Sequence, residues 1–197
     1  ITFIEPYSMV SLILLGRNYL RSRGEKLILI NIPINIHQYL TRMDFFKKGI
    51  FNLEQNLDEK YLLKRSSFSK RVIEVIDIPV KERESVKAIS NIITLFRRRA
   101  SFILKHWISD KITDYFVTVI SELCQNIFEH SLDTGYISMQ TYTIGRENIV
   151  RLVISDSGIG IPKSFEKKDV TKGEPSAKII EMAIMTTISS KREFGFG

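Results

Sequence analysis

The spacing of apolar residues divides the chain into alternating strand-like and helix-like stretches. Over residues 7–23 the apolar positions Val10, Leu12, Ile13, Leu15 and Leu20 recur at helical spacing against Arg17, Arg21 and Arg23, and Gly24 stands where a helix closes. Residues 26–32 form a continuous apolar run ended by Pro33, the pattern of a buried strand in a parallel pair. A second amphipathic helix is predicted over 36–48, stopped at Gly49, and the polar residues 52–60 read as a loop. The stretch 61–78 ends in a strand carrying Val72, Val75, Ile76 and Ile78, which Pro79 terminates. A short apolar strand is also predicted over residues 1–4. Strand and helix in alternation make this part a small α/β unit.

After Pro79 the pattern changes. Residues 81–105 predict a long helix with Ile92, Ile93, Phe96 and Phe102 on one face, His106 and Trp107 mark a break, and 110–131 predict a second long helix with Ser109 or Asp110 as N-cap. Residues 136–142 and 149–155 alternate as strands around the turn 145–148, an antiparallel hairpin. Residues 163–173 are polar and rich in Lys, the composition of a lid, and 177–188 are helical. The change of pattern divides the chain into two domains, 1–80 and 81–197.

Two polar clusters interrupt the apolar runs of the second part. On the helix, Glu122, Asn126 and Glu129 fall at i, i+4 and i+7 and so share a stripe, beside an apolar face of Phe116, Ile120, Leu123 and Ile127. An Asn carbonyl next to a Glu carboxylate supplies oxygen to a hard cation without heavy local charge, which suits magnesium. Asp156 ends the strongly apolar strand 149–154, where a carboxylate can accept a hydrogen bond from an exocyclic amine of a nucleobase. Gly158 and Gly160 remove side chains where a ligand would press on the backbone. Either cluster alone reads as a turn or a solvated helix face; the two in tandem point to a site.

Together, Glu122-Leu-Cys-Gln-Asn126 with His130, then Asp156-Ser-Gly158-Ile-Gly160-Ile-Pro, resemble the N box and first glycine box of the GHKL superfamily of ATP-binding domains, over residues 112–197. The resemblance implies a fold, an α/β (Bergerat) sandwich, and roles: Asn126 as the magnesium ligand, Glu122 as the general base, and Asp156, with Gly158 and Gly160, at the adenine. Gly195 and Gly197 resemble the start of the second glycine box. A GHKL domain continues beyond that box, so the resemblance also implies further chain past Gly197. The first part, through Arg42-Met-Asp-Phe-Phe46, resembles the STAS-like modules found beside GHKL domains in bacterial regulators. No hydroxyl follows the inner strand in Asn31-Ile-Pro-Ile-Asn-Ile-His37, so the phospho-switch of such modules is not carried over.

Composition and charge alter this picture little. The single cysteine, Cys124, lies in the predicted N-box helix, so no intrachain disulfide can form, and a core position in a reducing cytoplasm is expected. The formal net charge of +7 raises nucleic acid and acidic membranes as partners. The basic residues are spread along the chain, and Arg97-Arg98-Arg99 reads as the solvated face of a helix; without an aromatic-basic platform, nucleic acid is disfavoured. The apolar run 9–15 is too short to cross a membrane, and no G-x-x-x-x-G-K-[ST] phosphate loop occurs. His106 lacks the acidic neighbour of a phospho-acceptor, His37 reads as a surface residue and His130 as the end of the helix. The leading expectation is a cytoplasmic regulatory protein that binds ATP and Mg2+, with kinase or slow ATPase activity left open, a protein partner reached through the first module, and a homodimer not excluded. The alternative is a non-catalytic, nucleotide-gated interaction module.

Overall fold

The computed structural model describes residues 4–54, 69–81, 85–166 and 171–185, which form a mixed α/β fold of six α-helices and two small sheets. The first helix, α1 (Pro6–Arg23), begins with proline at a position where its missing N–H costs nothing and ends where the Gly24 N–H bonds the Leu20 carbonyl. Met9, Val10, Ile13 and Gly16 form its buried face. Strand β1 (Leu27–Leu29) pairs in parallel with β2 (Phe51–Leu53). The expected parallel pairing is present, but the expected burial is not: Ile28 and Ile30 are 62% and 59% exposed. A sheet of two strands is covered on one face only, so alternate residues of the apolar run face outwards. Of the predicted strand over residues 1–4, only Ile4 is described; it is buried but not in a strand.

Helix α2 (Ile34–Arg42) is shorter than the predicted 36–48. The backbone turns left-handed at Asp44 (φ 62), a short 3-10 turn spans Phe46–Lys48, and Gly49 closes it, also left-handed. Asn52, expected in a loop, lies in β2. His37 is also not the surface residue expected. It is 7% exposed, its ring tilted against Phe46 with centroids 4.7 Å apart, because the helix turns this position toward the cluster formed by Phe45, Phe46 and Phe51.

The main sheet consists of β3 (Val72–Ile78), β4 (Gly135–Ile144) and β5 (Glu147–Ser155), antiparallel throughout in the order β3-β4-β5. Tyr136 faces Ser155 at one end of the hairpin and Ile144 faces Glu147 at the other. Helices α3 (Ser85–Leu104) and α4 (Asp110–His130) cover one face: Phe96, Ile103, Leu104, Val117, Ile120, Cys124 and Phe128 pack with Ile73, Ile78, Ile137 and Met139. The other face is covered by the N-terminal segment, where Val72, Val75, Tyr136 and Val153 join the cluster of Met9, Val10, Ile13, Leu40 and Phe45. The sheet is thus an apolar layer between two helical ones, and its strands are apolar on both sides. A division at residue 80 falls just after β3, which is hydrogen-bonded to β4 in the sheet of the second part.

The Arg97–Arg99 run is only partly a solvated face. Arg97 and Arg98 are exposed, whereas Arg99 donates to the buried carboxylate of Glu74 at 2.6 Å and to the Val72 carbonyl at 3.1 Å, tying α3 to β3. Beyond the sheet lie α5 (Gly160–Ser164), which takes up the start of the stretch expected as a lid, and α6 (Ser176–Met185). No helix among the described residues is long and apolar enough to cross a membrane.

Candidate functional site

The site is built where the C-terminal end of α4 meets the loop leaving β5. Helix α4 ends at Ser131, whose N–H still bonds the Ile127 carbonyl, and the chain then turns through Leu132 at φ 60, an unfavourable conformation for a leucine. This reversal places Ser131 and Asp133 on the same side as the Asp156 loop. The Ser131 hydroxyl donates to Asp156 Oδ1 at 2.7 Å, and the Gly158 N–H donates to the same oxygen at 2.8 Å. The Ser131 carbonyl accepts from the Ile159 N–H at 2.9 Å. Asp156 is therefore held through one oxygen, and among the described residues Oδ2 accepts no hydrogen bond.

The two glycines of the loop serve different ends. A Cβ on Gly158 would stand 2.0 Å from the Ser131 carbonyl oxygen and 2.0 Å from its hydroxyl, so the loop can approach α4 only with hydrogen at that position. At Gly160 a Cβ would meet only Pro162 Cδ, at an ordinary 3.9 Å, but φ is +74, and the backbone conformation disfavours a side chain more than any neighbour does.

Asp133 is the most heavily engaged group nearby. It is 5% exposed and accepts from both guanidinium nitrogens of Arg21 at 2.6 and 2.5 Å, from Arg17 at 2.9 Å, from the Thr134 N–H at 2.7 Å and from the Ser157 hydroxyl at 2.7 Å. Burial pushes its pKa up, but Arg21, Ser157, the Thr134 N–H and Arg17 outweigh that and hold the carboxyl well below the usual carboxylate range. Arg17 also donates to the Tyr136 hydroxyl at 2.9 Å. Through Asp133, α1 is fastened to Ser157, the residue between Asp156 and Gly158.

Along α4, Glu122 and Asn126 are both exposed, and neither side chain has a partner among the described residues. Glu129 is half-buried, accepts from Gln125 at 2.5 Å and lies 4.0 Å from His130. Leu123, expected on the core face, is 44% exposed and borders Glu122 on the outer side. Its neighbour Cys124 is buried as expected, and burial pushes its thiol up to about 12. Ser109 is the N-cap residue of α4, without a side-chain capping bond. No three His, Cys, Asp or Glu side chains converge as a metal centre among the described residues. Gly195 and Gly197 lie outside the described residues.

Of the residues singled out in the sequence, the structure brings Asp156 and Gly158 together at Ser131, while Glu122 and Asn126 lie apart on the outer face of α4; Ser131, Asp133, Arg17 and Arg21 were not singled out as site residues. The sequence does carry one signal for the arginines: they stand at i and i+4, so they reach one point from one helix face. No family model, no curated protein and no solved structure matches the chain.

Proposed function

We propose that the chain is an ATP-binding regulatory protein of the GHKL kind, with its nucleotide at the junction of α4 and the Asp156 loop. The observation that carries this reading is the half-used carboxylate of Asp156. Ser131 and Gly158 fix Oδ1, so Oδ2 is oriented without being occupied, as required of an acceptor for an exocyclic amine. Glu122 and Asn126 support it as an unengaged carboxylate and carboxamide on the outward face of the helix that ends at Ser131. Magnesium needs few protein ligands because it keeps waters and takes oxygens from phosphates, so one Asn126 carbonyl fits such an ion where a closed three-ligand cage is lacking. In this reading Glu122 accepts the proton of an attacking water or hydroxyl. The N-terminal segment is the STAS-like part through which a protein partner is reached.

The alternative of a nucleotide-gated interaction module has its own support, because Ser157 in the ligand loop is bonded to Asp133 and through it to Arg17 and Arg21 of α1. A nucleotide that shifts the loop would then act on the N-terminal layer. Titration calorimetry with ATP, with and without Mg2+, tests the nucleotide reading. Asp156→Asn keeps an acceptor for Ser131 and Gly158 but presents an amide N–H₂ toward the adenine amine. It is expected to fold normally and to weaken ATP binding by at least tenfold, the loss of a charge-assisted hydrogen bond of about 1.5–3 kcal/mol. A folded variant with unchanged affinity removes Asp156 from the adenine.

A further inference from the structure

A second surface lies at the opposite end of the main sheet. Asn148 is the second residue of β5 and Asp156 follows its end, so about eight residues of extended chain, some 25 Å, separate this surface from the nucleotide loop. Here a groove of about 410 Å³ is lined by Lys70, Arg71, His106, Trp107 and Asn148. These residues come from the approach to β3, the break after α3 and the hairpin turn. Among the described residues no carboxylate lines the groove, and Lys70, Arg71 and His106 are exposed.

The basic and aromatic character continues along α3. The edge of Phe102 meets the His106 ring with centroids 6.0 Å apart, and the Lys105 ammonium lies 5.0 Å over the Phe102 ring. Arg98, one turn back from Phe102, shares the adjoining groove with Phe102 and Lys105, while Asp110 and Asp114 on α4 close its far wall. None of Lys70, Arg71, Arg98 and Lys105 is engaged by a carboxylate among the described residues. Arg17, Arg21 and Arg99, by contrast, are each paired with a carboxylate inside the fold.

We propose that this strip, from Lys70 and Arg71 across Trp107 and His106 to Lys105 and Arg98, binds single-stranded nucleic acid. Phosphates repeat along such a strand and match a row of cations, whereas its unpaired bases offer flat faces to Trp107 and the exposed His106, which line the groove. A duplex hides those faces, and an anionic lipid headgroup has no flat ring to stack on these side chains. The sequence hides this platform because its parts lie at residues 70–71, 98–107 and 148, and only the fold brings them together. The site does not depend on the nucleotide reading, since it shares no residue with the Asp156 loop.

Trp107 is the chain's one tryptophan, so its fluorescence reports the strip directly. An oligouridylate of about twenty nucleotides, titrated into the whole protein at low salt, is expected to bind by fluorescence anisotropy and to quench the tryptophan with the same midpoint. With four phosphates engaged on a single strand, affinity should fall about 50-fold between about 50 and 200 mM salt. The exposed double variant Lys70→Glu, Arg71→Glu should lose about tenfold or more with its fold unchanged by circular dichroism, while Asp156→Asn binds the oligonucleotide as the wild type does. Absence of binding at low salt overturns the proposal. So does binding that leaves the tryptophan unquenched or ignores the double variant, and so does a preference for duplex or for anionic phosphatidylserine vesicles over the single strand.

Discussion

At the scale of the residue, the Asp-x-Gly-x-Gly loop shows why a motif is more than its letters. Gly158 is required by the approach of Ser131 and Gly160 by its φ of +74, so the same substitution at each should act differently. Gly158→Ala forces the loop off α4, breaking the bonds of Ser131 to Asp156 and Ile159, and is expected to cost about 1–3 kcal/mol or more and to abolish nucleotide binding. Gly160→Ala should cost about 1–2 kcal/mol and leave Asp156 fixed. Urea midpoints and ATP titration of both variants check this; equal losses would mean that the close contact with Ser131 is unimportant. His37 gives a second prediction. Burial lowers its pKa below the ordinary 6.5, so the neutral ring is favoured in the folded chain. The unfolded chain takes up a proton first as pH falls, so the stability this group contributes is complete above about pH 6.5 and is lost below it, through the lower folded pKa. Asp133, with its carboxyl held low, contributes no slope until pH approaches 3.8. Between pH 7.5 and 5 the wild type should therefore lose stability in urea while His37→Phe, which keeps a ring against Phe46, is flatter; parallel curves would remove His37 as the cause.

At the scale of the element, α4 was the most legible part of the chain, since its range was read to within a residue, although Leu123, set on its apolar face, is exposed beside Glu122. Apolar runs were less legible. Residues 26–32 read as buried because hydropathy reports the residue and not whether a further strand or helix arrives to cover it, and only three of them form a strand. The helix expected to run to residue 48 was broken by the left-handed turn at Asp44, which helical periodicity does not register. The pairing of Asp133 with Arg17 and Arg21 could not be read beyond the i, i+4 spacing of the arginines, because it joins positions more than a hundred residues apart. The outer face of α4 supports a test that separates binding from chemistry. Asn126→Ala should weaken ATP binding in Mg2+ and change it little without the ion, because water replaces the lost carbonyl. Glu122→Ala should leave binding intact and lower turnover about 10²–10⁴-fold if Glu122 is the base. Phosphate release that survives Glu122→Ala excludes the carboxylate from catalysis, and magnesium-dependent affinity that survives Asn126→Ala excludes the amide from the metal. Both side chains are exposed and unengaged, so neither change should move the unfolding midpoint by more than about 0.5 kcal/mol.

At the scale of the whole molecule, the central fact is that the β3-β4-β5 sheet has no free face. Val72, Val75, Tyr136 and Val153 are buried by α1 and α2, and Ile73, Ile78, Ile137 and Met139 by α3 and α4. Removing the N-terminal layer would expose the first of these sets to water, and burying or exposing a single large apolar side chain changes free energy by about 1.5–3 kcal/mol. It would also leave Asp133 buried without Arg17 and Arg21, an unpaired carboxylate of the kind whose partner's loss costs about 3–5 kcal/mol. Together these terms are comparable with the whole stability of an ordinary domain. The N-terminal segment therefore belongs to the fold of the rest, and a cut in the chain between residues 54 and 85 should not free it. Limited proteolysis there is expected to give two pieces that elute together from a gel-filtration column and part only in denaturant. Urea unfolding of the intact protein should follow one transition, with Trp107 emission and far-ultraviolet circular dichroism changing at the same concentration. A C-terminal piece that elutes alone with native ellipticity, or a tryptophan transition displaced from the circular dichroism one, would mean that the two layers fold separately.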